Sequence, residues 1–191
     1  MKIYLDTNTL RDCLKRRNLN TIRLLEIIRE RKIECNSSIF SVMELIDEEK
    51  DDTFFNNHLR KGEEITSIMR TKNQRDLKID DFNELSEIIK NFLATYNFIK
   101  FVTLAGEGWT TAFDVCKLSN LDADDSIHLA SAIGTSDILL TSDSFFKKEG
   151  TQLIESHNNS VKENKINLEI KNPNEVLKLL EENQEDKKPK K

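Results

Sequence analysis

Cysteine is scarce and scattered. Cys13, Cys35 and Cys116 stand far apart, with no CxxC spacing and no Cys/His pairing, so neither a disulfide framework nor a zinc site is indicated, and a reducing compartment fits best. No apolar run approaches the roughly 20 residues of a bilayer span. The chain opens directly on Ile3, Tyr4, Leu5 and Asp6 with no signal-peptide layout, which leads us to expect a soluble cytoplasmic protein with no membrane partner. No Ser/His or Cys/His arrangement serves a side-chain nucleophile, and there is no internal repeat. Positive charge is also short. The net charge is −5, and four positive charges come from Lys187, Lys188, Lys190 and Lys191; without these four the rest stands at −9. That argues against an electrostatic grip on nucleic acid, unless divalent cations pair with some of the acids and reverse the local field.

At 191 residues, with 33% charged and 37% apolar side chains, the chain suits one globular domain with an appendage. Lys2–Asp6 reads as a strand followed by a turn or helix cap at Thr7, Asn8 and Thr9, and Thr21–Ile28 reads as an amphipathic helix. A brief strand at 33–36 precedes a helix capped by Ser37 or Ser38, which carries Phe40, Val42, Met43, Leu45 and Ile46 with Glu44 among them. Residues 48–78 read as an insertion, drawn as a solvated helical hairpin, whose Arg60, Lys61, Arg70, Lys72 and Arg75 could contact phosphates. Asp80 or Asp81 caps a helix with Phe82, Leu85, Ile89, Phe92 and Tyr96 on one face. A strand within 98–104 and a helix from Trp109 to Leu118 follow.

The stretch from Leu121 to Phe146 organises the remainder. Asp122, Asp124 and Asp125 open a short helix rich in small residues, Ile138, Leu139 and Leu140 form a strand covered on both faces, and Asp143 follows it. Phe145 and Phe146 begin a connector ending in a surface loop at Asn158, Asn159 and Ser160. Residues 166–170 form a last strand, Asn172 and Pro173 start a last helix, and 182–191 is expected to be disordered. Alternating strands and helices predict a three-layer α/β/α sandwich with a mainly parallel central sheet. The domain spans 1–181 and contains a helical insertion at about 48–97.

Four acids stand out: Asp6, Glu44, Asp125 and Asp143. Strand ends that carry Asp6 and Asp143 open on the same edge of a parallel sheet, where such folds bind ligands. Each acid has a plainer reading: Asp6 as a helix cap, Glu44 facing water beside Asp47, Glu48 and Glu49, and Asp124 as an accessory acid or cap. Gathered together, carboxylates repel and suit a hard divalent cation.

LDTN at 5–8, SVMEL around Glu44, DSIHLASA from Asp125 and LLTSDSFF from Leu139 together resemble the PIN-domain ribonucleases. The resemblance implies a PIN-like fold and a metal-dependent endoribonuclease that hydrolyses RNA phosphodiester bonds. It implies Asp6, Glu44, Asp125 and Asp143 as the catalytic and Mg²⁺- or Mn²⁺-binding acids, with Asn8 and Thr141 as polar supports. It suggests the toxin of a toxin-antitoxin pair, with an antitoxin protein as partner, and leaves a homodimer open. The 48–78 insertion and the helix after it depart from the compact toxin members, so substrate recognition does not carry over. Two rival readings are a haloacid-dehalogenase-like phosphatase with Asp6 as nucleophile and a non-catalytic PIN-like protein-binding module. His128, three residues past Asp125, is expected to pack rather than react.

Overall fold

The computed structural model describes residues 1–72 and 76–185. Arg75, and 186–191 of the expected disordered tail, lie outside them. The strands are β1 (Lys2–Leu5), β2 (Glu34–Ser38), β3 (Ile99–Val102), β4 (Ile138–Leu140) and β5 (Glu169–Lys171). The helices are α1 (Thr7–Leu14), α2 (Leu19–Glu30), α3 (Ile39–Arg60), α4 (Ile65–Thr71), α5 (Ile79–Thr95), α6 (Glu107–Leu118), α7 (Ala123–Ile133), α8 (Ser144–Ser160) and α9 (Pro173–Glu185). The chain divides into two compact units, Met1–Ser41 with Phe98–Lys191, and Val42–Asn97.

The first unit holds the whole sheet. Its five strands are parallel, in the order β3-β2-β1-β4-β5, with Leu5 level with Ser37 on one side and Leu140 on the other. Successive strand residues point to opposite faces, yet Ile3, Tyr4 and Leu5 are all fully buried, as are Leu139 and Leu140. Both faces of the central strands are therefore covered, as expected for a parallel sheet between helices. One core cluster joins Tyr4, Leu139 and Ile170 to Leu129 and Ala132 of α7 and to Phe146 and Ile154 of α8. On α8, Gly150 comes so close to β5 that a Cβ there would stand 2.6 Å from Ile170 Cδ1. Helix α2 packs on α9, where the Arg31 guanidinium donates to the Leu180 carbonyl at 2.8 Å, and α6 packs on α7. Trp109, the single tryptophan, is half-exposed on α6.

Several boundaries differ from expectation. Helix α8 replaces the connector and loop drawn after Asp143: Asp143 caps it, Phe146 is fully buried, and Asn158 turns its amide onto the backbone of Ile166 through two hydrogen bonds. Strand β2 continues to Ser38, because Ser37 Oγ donates to the Leu5 carbonyl across the sheet and Ser38 Oγ accepts from Phe40 N. Asn172 starts α9 as expected, in a reciprocal pair of bonds with Glu175, and the helix runs to Glu185, into the stretch expected to be disordered.

The second unit contains α3 from Val42 onward, α4 and α5: the hairpin read over 48–78 is the end of α3 turning into α4, and α5 is the helix read after it. Phe54, Ile68, Leu85, Ile89 and Phe92 are buried. Helix α5 starts earlier than expected, with Lys78 at its N-cap position; Asp80 and Asp81 fall in the first turn, where Asp81 reaches back to Lys78 N at 2.7 Å and also accepts from Asn57. Of the basic residues read as phosphate contacts, Lys72 is held by Asp51 at 2.6 Å, while Arg60, Lys61 and Arg70 are exposed.

Candidate metal centre

Strand order reverses at β1: the chain proceeds to β2 and β3 on one side and to β4 and β5 on the other. A crevice at the carboxyl ends of β1 and β4 is where doubly wound sheets place their ligands. Asp6 and Asp143 follow these two strands.

Asp6 is 2% exposed and caps α1, accepting from Thr9 N at 2.7 Å. Its own N–H donates to the Leu140 carbonyl at 3.1 Å, and so does Thr9 Oγ1, so the first turn of α1 is fastened to the end of β4. The Thr141 hydroxyl donates to the Asp6 carboxylate and accepts from Asp143 N at 2.9 Å. Thr141, 1% exposed, thereby joins the two acids. Burial pushes the Asp6 carboxyl above the usual carboxylate range, against the hydrogen bonds from Thr141 and Thr9.

Asp143 caps α8: its Oδ1 accepts from Phe145 N at 2.7 Å and Phe146 N at 2.9 Å. A carboxylate has about four acceptor sites, and Oδ2 has no hydrogen-bond partner among the described residues. Asp125 lies in the first turn of α7. Its carboxyl is pushed up to about 7, first by burial, then by the negative charges of Asp122, Asp143 and Asp6, with His128 acting the other way. The first unit thus brings Asp6, Asp125 and Asp143 into one electrostatic field. The sheet's strand order places Asp6 and Asp143 on one edge, and helix α7 adds Asp125.

Other expected residues fall differently. The cap of α7 is Asp122, which accepts from Asp125 N at 2.9 Å, rather than Asp124, which is exposed. Asn8 receives the Arg11 guanidinium at 2.6 Å. Glu44 is half-buried on α3 in the second unit. His128 is buried, with Nδ1 2.9 Å from the Tyr4 hydroxyl and Nε2 3.1 Å from Thr7 Oγ1. Sequence reasoning missed two features: Asp122 as cap and charged neighbour, which its position three before Asp125 could have signalled, and the Tyr4–His128–Thr7 bridge, which nothing local signals.

Among the described residues, no group of three or more His, Cys, Asp or Glu side chains stands ready to hold a metal ion. The Asp6 and Asp143 carboxylates are oriented instead toward the backbone amides they cap. The donor set nevertheless fits a hard cation: all oxygen, part-buried and mutually repelling. No protein-family model and no curated protein matches the chain.

Proposed function

We propose that the protein is a Mg²⁺- or Mn²⁺-dependent endoribonuclease of the PIN-like type. The observation that carries this reading is that Asp6 and Asp143 stand at the topological switch of a parallel sheet with Asp125 in the same field, whose carboxyl burial first, and then the charges of Asp122, Asp143 and Asp6, push up to about 7. The order and wording of the four sequence motifs supply the RNA substrate. Asp6, Asp125 and Asp143 would hold the cation, and Glu44 keeps the support of its motif alone. A bound divalent cation lowers the pKa of an attacking water and offsets charge on the leaving oxygen. Thr141 holds Asp6 and the Asp143 backbone in register, and the first turns of α1 and α8 fix the direction of each carboxylate. The antitoxin partner and the homodimer rest on resemblance alone.

The phosphatase reading gains nothing from this geometry. That scheme needs a second acid two residues after the nucleophile, and Asn8, an amide that accepts from Arg11, cannot act as a general acid. The test is incubation of the wild type, Asp6→Asn and Asp143→Asn with total RNA, with and without EDTA. Asparagine retains the capping acceptor and removes the charge, so loss of cleavage in either variant is a loss of chemistry rather than of fold. We expect wild-type cleavage that EDTA stops and neither variant restores. Cleavage unaffected by EDTA, or retained by both variants, overturns the reading. Turnover of a chromogenic phosphate monoester without RNA cleavage would instead favour the phosphatase.

A further inference from the structure

The histidine beside the site is not part of the acidic set, yet it touches both sides of Asp6. Tyr4 lies two residues before Asp6 on β1, and Thr7 lies one residue after it at the start of α1. His128 bridges the two, with its ring nitrogens 2.9 Å from the Tyr4 hydroxyl and 3.1 Å from Thr7 Oγ1. The ring is 3% exposed, and the Phe40 ring is tilted against it, with centroids 6.1 Å apart. A neutral imidazole donates from one nitrogen and accepts at the other, and both hydroxyls can do either, so the bridge is satisfied in either tautomer. His128 sits three residues after Asp125, on the same side of α7. One buried ring therefore fixes α7 to the two residues that flank Asp6.

We propose that His128 is a positioning residue that sets the spacing between Asp6 and Asp125, and through it the affinity of the acidic site for a divalent cation. This rests on the cation-dependent reading above. The spacing matters because two carboxylates sharing a hard cation must come within a fixed distance of one another, and nothing covalent joins α7 to β1. Sequence separation explains why the bridge is needed: Tyr4 and His128 are 124 positions apart. Partners bonded directly to a ligating group typically change metal affinity about 10- to 100-fold when removed, and His128, which bonds residues near Asp6 rather than Asp6 itself, belongs at the lower end of that range.

The test measures Mn²⁺ binding to the full chain by calorimetry, for the wild type, His128→Leu, His128→Gln and Thr7→Val, with folding checked by circular dichroism. Leucine removes both ring partners at similar volume, while glutamine restores one amide able to reach a hydroxyl. Thr7→Val deletes one hydroxyl without changing shape. We expect the Mn²⁺ dissociation constant to rise about 10-fold or more in His128→Leu, to rise less in Thr7→Val, and to recover in part in His128→Gln. A histidine serving only to fill the core would lower the melting temperature and leave the dissociation constant where it was. Wild-type Mn²⁺ affinity in folded His128→Leu overturns the proposal; should that variant fail to fold, unchanged affinity in Thr7→Val does so. Absence of Mn²⁺ binding by the wild type overturns the cation-dependent reading itself, and this proposal with it.

Discussion

Asp6 serves two ends that pull against each other. As a cap it steadies α1, and as a buried carboxylate its charged form is disfavoured by burial. Functional sites commonly carry such local instability. Replacing Asp6 with asparagine keeps an oxygen for Thr9 N–H and lets the Thr141 hydroxyl rotate to accept from the new amide. Asp6→Asn should therefore be more stable than the wild type in EDTA at neutral pH, by about 0.5–2 kcal/mol, while losing RNA cleavage; urea denaturation checks it, and a destabilised variant would show that ionised Asp6 is well accommodated. At this scale much was legible. Acids at or shortly after the ends of apolar runs mark Asp6 and Asp143, whereas among Asp122, Asp124 and Asp125 the cap of α7 is signalled only by the position of Asp122 three residues before Asp125.

Among the elements, β1 and β4 were readable because uninterrupted apolar runs have few alternatives once both faces are buried. Helix α8 was not. Its inward residues are few, Phe146, Glu149, Gly150 and Ile154, one of them charged, and between them lie Lys147, Lys148, Thr151 and Gln152, so its apolar stripe is narrow. What holds it is the Asp143 cap at one end and close packing on Leu129 and Ile170 in the middle. Phe146, fully buried in the cluster, carries much of that packing. Phe146→Ala should cost about 3–5 kcal/mol in unfolding free energy. A loss below about 1 kcal/mol in urea denaturation would mean that α8 is secured elsewhere. In the second unit the helix ends were the part not legible: α3 runs unbroken from Ile39 to Arg60, past the point where an insertion was read to begin, and the four-residue turn before α4 carries its break at Gly62, whose φ of 79° no hydrophobic pattern announces.

Across the whole molecule, the acidic site leaves a signature in the dependence of stability on pH. The folded pKa of Asp125, about 7, lies above its ordinary value of 3.8, and that of Asp6 is also raised. A raised folded pKa means that the native state binds protons the unfolded chain has released, so this contribution is complete below the unfolded pKa and is lost as pH rises through the folded one. In EDTA, stability should fall between about pH 4 and pH 7, with about 1–2 kcal/mol of the decline from Asp125 once screening of a part-exposed carboxyl is allowed for. Asp125→Asn should flatten the profile. Mn²⁺ should add most stability at the upper end of the range, where the acids are ionised. Stability that instead rises over this interval in EDTA would contradict the repulsion inferred among these groups.

The half-exposed indole on α6 gives this chain a built-in optical reporter. A lone emitter needs no labelling, and its helix rests against the one that carries Asp125. Following its ultraviolet emission while Mn²⁺ is titrated into the unmodified protein reads, in real time, whether cation uptake moves this pair of helices.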